Sequence, residues 1–163
     1  MTLHHTRRAM CVRAGLALSA LALLIVAAGP WASQTAPAVH SASAVAFSPD
    51  GRLLAVSDLT ANSIALLEPD RRVIVRRAAV ASPRGVCWMG SRIYAAQYLR
   101  GSVAEIAPDT GKVLRMLPTG AYPDTLKAVP GKRILLVGNT GSHNVAVLDT
   151  VTGRVVGRLR CTG

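Results

Sequence analysis

The sequence predicts an all-β chain built from repeats, on three observations. The segment from Ala44 to Gly163 writes one pattern three times, with a period near forty residues: Pro83 and Pro123 lie forty apart, Val103 and Val145 forty-two apart. Within each copy, short runs rich in Val, Ile, Leu and Ala alternate with clusters of Gly, Pro, Asn and Asp, the pattern of strands and tight turns. Beyond the first forty or so residues, no apolar spacing of helical period matches that signal in strength. Repeats of this length are supersecondary units that bury their faces only against neighbouring units.

The N-terminus stands apart from the repeats. Met1 to Arg13 is short and basic, with Arg7, Arg8 and Arg13 and no acidic residue, and Ala14 to Ala28 is an apolar run of fifteen before Gly29-Pro30. A basic start, a short apolar core and a small-residue exit predict a secretory signal helix. The run is shorter than the ~20 residues that span a bilayer, and an uncleaved membrane anchor stays as the alternative. Small-residue cleavage patterns at Val26-Ala27-Ala28 and Ala36-Pro37-Ala38 place the mature start between positions 29 and 39. The Arg7-Arg8 pair after Thr6 also admits a twin-arginine export route. The expected organisation is a signal peptide and linker over 1–38 and repeats over 39–163, in a protein exported to the periplasm or secreted.

The third copy shows the unit most plainly. Asp124 to Val129 reads as a short mixed strand closed by Pro130-Gly131, and Arg133 runs through an apolar strand to Asn139. Asn139-Thr140-Gly141-Ser142 turns the chain into Val145–Asp149, and Thr150-Val151-Thr152-Gly153 turns it again into the strand from Arg154. The first copy opens on the turn Ser48-Pro49-Asp50-Gly51, where Pro presets φ near −65° and Gly supplies positive φ. The second uses Met89-Gly90-Ser91 there and Pro108-Asp109-Thr110-Gly111 at its last turn. Four short strands joined by tight turns, and repeated, describe β-propeller blades, placed at about 43–80, 81–120 and 121–163.

The run from Asn139 through Val145-Ala146-Val147-Leu148-Asp149 to Thr152-Gly153-Arg154-Val155-Val156 resembles the YVTN-type β-propeller repeat family, and Ser48-Pro49-Asp50-Gly51-Arg52 is typical of that family and its WD-repeat relatives. The resemblance spans residues 44–163. Copy two departs from it, with Gln97 near the usual Asn and Ala107 where copy three has Asp149. The resemblance implies a propeller, usually of seven blades and often exported in bacteria, and no single activity. A ring needs about four to eight blades, and three are written here. Three expectations stand: a piece of a longer propeller, a ring closed by self-association, or an arc covered by another subunit.

Charge and cysteines narrow the partners. Three of the nineteen basic residues lie in the signal, leaving sixteen against eight acidic ones, most of them arginines spread through the repeats. Aromatics make up 4% of the chain, which lacks the stacking residues of a nucleic-acid surface, so no nucleic-acid partner is expected. Adhesion to an anionic envelope surface is the alternative use of that charge. Cys87 sits in an apolar strand and reads as a buried free thiol, with a bridge to Cys161 as the alternative. No cysteine or histidine spacing suits zinc or haem, and no cofactor is assigned.

Connections alternate between the two rims of a propeller, so the loops between second and third strands share a face with the blade links. That face carries the candidate ligand-binding residues Asp58, Asn62, Arg84, Gln97, Tyr98, Arg100, Tyr122, Asp124, Asn139 and His143. Asp58 and Asn139 read most simply as turn residues bonding their own backbone, and His143 as a solvated loop residue. Tyr98 and Tyr122 with Arg84 and Arg100 suit either a stacking, anion-binding patch or blade packing. Asp58 and Asp124 would serve acid–base chemistry only if their loops converge. The favoured function is a non-catalytic binding or scaffold module of the cell envelope, with a protein or small-molecule ligand on this face. The alternative is part of a propeller enzyme, a lactonase-like hydrolase or a quinoprotein- or cytochrome-linked oxidoreductase.

Overall fold

A computed structural model describes residues 41–161, all within one compact unit, Thr35–Gly163. The signal helix expected over 1–38 lies outside the described residues. The repeats fold into three four-stranded antiparallel sheets, each a meander in sequence order. Blade 1 comprises β1 (Ala42–Phe47), β2 (Leu54–Asp58), β3 (Ser63–Glu68) and β4 (Val73–Ala79). Blade 2 comprises β5 (Pro83–Met89), β6 (Arg92–Gln97), β7 (Ser102–Ile106) and β8 (Val113–Pro118), with a single 3-10 turn at Tyr98–Arg100. Blade 3 comprises β9 (Pro123–Ala128), β10 (Ile134–Asn139), β11 (Asn144–Asp149) and β12 (Arg154–Arg160).

Each sheet buries its two middle strands most deeply, because a residue there has a strand on both sides and a blade over its face. One core forms where blade 1 meets blade 2, around Ala55, Ile64, Leu66, Ala78, Ile93 and Ile106. A second forms where blade 2 meets blade 3, around Tyr94, Val103, Leu117, Leu135, Val137 and Leu148. Burying each of the larger aliphatic side chains contributes about 1.5–3 kcal/mol, so these two seams carry most of the fold's stability. The arrangement is propeller-like: β1 packs against β5 and β5 against β9, which puts the first strand of every blade at the inner edge.

The inner edge permits this approach because its residues are small. Ser43 Oγ donates to the carbonyls of Pro83 and Arg84, each at 3.3 Å, tying β1 to β5. A Cβ at Gly85 would run into the carbonyl oxygen of Asp124 and stand 3.1 Å from the Leu126 nitrogen, so the close contact of β5 and β9 needs glycine there. Further out, the Trp88 indole donates to the Ala46 carbonyl at 3.0 Å across the first seam. Across the second, Arg115 Nη2 donates to the Thr150 carbonyl at 2.6 Å and Nη1 to that of Val151 at 3.3 Å. Cys87 and Cys161 are both free thiols, as the apolar setting of Cys87 predicts.

Candidate functional site

Two backbone latches recur in all three blades and shape the loop face. The residue after the second strand donates to the carbonyl just before the first: Leu59 to Ser41, Tyr98 to Ser82 and Thr140 to Tyr122, each at 3.0 Å. The residue after the fourth strand donates to the turn before the third: Val80 to Asn62 at 2.9 Å, Thr119 to Gly101 at 2.9 Å and Cys161 to His143 at 3.1 Å. Asn62, Gly101 and His143 share positive φ, at 48°, 63° and 48°. The second-to-third strand loops and the blade links therefore lie together on one face, as the alternation of connections predicts.

These latches assign several of the sequence candidates to architecture. Asn62 and His143 occupy a left-handed turn position that a glycine fills in blade 2, and Asn is one of the residues that tolerates it best. The Asn62 side chain also accepts from the Ser82 N–H at 2.8 Å, while His143 is exposed. Asp58, Gln97 and Asn139 end the second strands at equivalent positions and are all buried. Asp58 caps its turn at the Ala61 N–H, 3.2 Å away, and pairs with Arg77 at 3.4 Å. Gln97 accepts from the Ser102 hydroxyl at 2.9 Å, and Asn139 donates to Asn144 Oδ1 at 3.1 Å. Asp58 is thus engaged by its own turn and by Arg77, whereas Asp124 lines a cleft whose lining does not include Asp58. Arg100 is exposed and borders a shallow groove with Asn62 and Gln97.

The other four candidates come together at the inner edge. The Arg84 guanidinium lies over the Tyr98 ring, 4.8 Å from its centroid. Tyr98 in turn stacks on Tyr122, with centroids 5.0 Å apart and planes inclined by 23°. Each contact is worth about 0.5–1.5 kcal/mol at such an exposed site. The stack joins a first strand, a loop and a link from two different blades. Tyr122 shares with Ser82, the equivalent link residue of blade 2, a positive φ of 53° against 47°, a conformation that costs a bulky residue roughly 1–2 kcal/mol. Its ring rests on Gly141, where a Cβ would run into Cδ2 and stand 3.1 Å from Cε2.

Beside this stack the second residues of the three inner strands, Ser43, Arg84 and Asp124, line one polar cleft together with Thr125. Arg84 forms no ion pair with any described carboxylate, so the edge of its guanidinium remains available to a ligand while its face is held by Tyr98. A fixed planar donor, a carboxylate one blade away and hydroxyls at either side can recognise a small polar group by hydrogen bonds of both senses. Among the described residues, no group of three or more His, Cys, Asp or Glu is placed to hold a metal ion.

Sequence reasoning missed Ser43, because it precedes the point where the repeat pattern becomes visible. It also missed a buried cluster at the opposite end of the second seam. Glu105 is 6% exposed and accepts from Arg115 Nε at 2.7 Å, with Arg92 approaching at 4.0 Å. Burial, and then the charge of Glu105, push the Tyr94 hydroxyl above its usual pKa. The signal for this cluster was present: Glu105 occupies the position of Leu66 in blade 1 and Val147 in blade 3.

No protein-family model and no curated protein matches the chain. Among solved structures, a chain of Kuenenia stuttgartiensis hydrazine synthase is similar, with a TM-score of 0.68 at 20% identity over 72% of this chain. The match spans 35% of the hydrazine synthase chain. Some 596 chains of solved structures match in all, and a fold that widely shared selects no activity. The class defined by fold and comparison is a propeller-like array of four-stranded antiparallel blades.

Proposed function

We propose that this protein is an exported, non-catalytic binding module of the cell envelope, built on YVTN-type propeller blades, that holds a small polar ligand or a protein segment at its inner edge. The observation that carries the reading is the Arg84–Tyr98–Tyr122 stack beside Ser43 and Asp124. It holds a cation that has no carboxylate partner among the described residues and fixes it by stacking at the mouth of a polar cleft, which suits a binding site better than a packing contact. The export half of the reading rests on the basic and apolar N-terminal pattern.

Blade 3 supports a further part of the proposal. It presents Leu136, Val145, Val147 and Leu159 at the positions where blade 2 presents Tyr94, Val103, Glu105 and Leu117 to its neighbour. Leu159 is 60% exposed, and a further sheet from a second copy of the chain would cover this face. Light scattering on the exported protein distinguishes a dimer from a monomer, and a monomer at all concentrations would remove this part.

The binding reading is tested by ligand-observed NMR with a panel of small carboxylates, amino acids and short peptides against the wild type and Arg84→Ala. A ligand that binds the wild type and is lost from the variant supports the site. Ligands that bind both equally would move the site elsewhere. The second reading, part of a propeller enzyme, takes its support from the name of the hydrazine synthase chain, whose likeness at 20% identity extends to fold. Turnover of a ligand found in the panel would favour it.

A further inference from the structure

The second seam opens, at the end opposite the loop face, into a cleft between the first turns of the blades. It is lined by Trp88, Arg92, Tyr94, Glu105, Lys132, Arg133 and Thr150, with Pro49 and Pro130 at its margins. Three cations therefore face one carboxylate. That carboxylate is already taken: Arg115, coming from outside the cleft lining, holds Glu105 Oε2 through Nε at 2.7 Å. Arg92 reaches Glu105 only at 4.0 Å. Arg133 has Asp149 in its neighbourhood but forms no ion pair with any described carboxylate. Lys132 forms no ion pair with any described residue. One wall is the Trp88 side chain, fixed by its indole bond to Ala46, and the floor carries the buried Tyr94.

We propose that this cleft is an anion site, distinct from the inner-edge site, that takes a small ligand with two or more phosphate or carboxylate charges and an apolar portion against Trp88. The cations supply charge-assisted donors from two separate turns, which a ligand with two anionic groups bridges and a single chloride does not. The Thr150 backbone and side chain are anchored to the Arg133 carbonyl at 2.9 and 3.0 Å, so the turn that carries Lys132 and Arg133 is held in place before any ligand arrives.

The test is calorimetric titration of the full chain with pyrophosphate and, separately, with citrate, in the presence of chloride. The two arms separate a phosphate ligand from a carboxylate one. The variant Lys132→Ala/Arg133→Ala removes the two outer cations and leaves every backbone bond of that turn. Arg158→Ala/Arg160→Ala removes two charges from the outer strand and controls for the net charge of +11. The site predicts saturable binding of at least one anion, weakened about tenfold or more in the first variant and unchanged in the second. Binding by neither anion, or equal weakening in both variants, overturns the proposal.

Discussion

Removing Arg115 dissects the polar cluster that ties the second seam together. Two of its nitrogens converge on Glu105 Oε2, and its other bonds reach across the seam to the Thr150 and Val151 carbonyls. Arg115→Ala would leave a carboxylate whose side chain is 9% exposed without its principal counter-charge. Breaking a fully buried pair from one side costs about 3–5 kcal/mol. The Arg115 side chain is 41% exposed, so solvent screens part of the interaction and the expected loss falls to about 2–3 kcal/mol. Read by urea denaturation, with m between about 1 and 3 kcal/mol per molar, the midpoint falls by roughly 1 M or more. The double variant Arg115→Ala/Glu105→Val installs the blade 3 residue and removes the orphaned charge, so it recovers at least half of that loss. A single variant within about 0.5 kcal/mol of wild type, or a double variant no more stable than the single, would refute the claim that this buried pair secures the seam.

Four further outcomes are expected. Gly85→Ala costs about 1–3 kcal/mol by pushing β9 away at the Asp124 carbonyl, and thermal unfolding of the variant measures it. Alkylation of the native protein labels Cys161 and spares Cys87, whose thiol is pushed up to about 12 by burial; peptide mass spectrometry reads the ratio. Because the unfolded chain gives up that proton near 9 and the folded chain keeps it to about 12, stability declines as pH rises through this interval, and Cys87→Ala flattens the decline. At the acid end, the Ser48 hydroxyl holds the Asp50 carboxyl below its ordinary value of 3.8, and the Val151 N–H does the same for Asp149. Their contribution is complete above that value and is lost as pH falls through the lower folded pKa, so Asp50→Asn/Asp149→Asn unfolds with a shallower acid limb in circular dichroism.

The strands were legible because their signals are local. A predicted strand ending at Asn139 and another ending at Asp149 appear with those ends, since turn residues fix them and apolar alternation fixes the face between. The site was legible only in part. Asp58, Asn62, Asn139 and His143 are polar residues in loops, which is all a sequence shows of them. Whether such a residue meets a ligand or completes a latch depends on which group of its own blade stands opposite: the Val80 N–H for Asn62, the Cys161 N–H for His143 and Arg77 for Asp58, each on a strand or strand end some eighteen residues on. Arg84, Tyr98 and Tyr122 were legible as residue types, but their stacking order needed Gly141 beneath the Tyr122 ring and positive φ at that link.

The repeats themselves provide the better guide to function. Three blades solve one packing problem in one molecule, so a position that makes the same backbone bond in all three answers to the scaffold. The latches at Ser41, Ser82 and Tyr122 and those at Asn62, Gly101 and His143 are of this kind, since each acts through its backbone whatever the side chain. A position that departs from its sisters has been released from that constraint. Ser43, Arg84 and Asp124 stand at one place in three inner strands and share no chemistry, although all three line the same cleft. Glu105 departs from Leu66 and Val147 and recruits Arg115 to hold it. Packing alone would fill both places with residues of one type. On the proposed reading their divergence marks the inner edge and the far end of the second seam as the two places where variants should alter ligand binding without unmaking the blades.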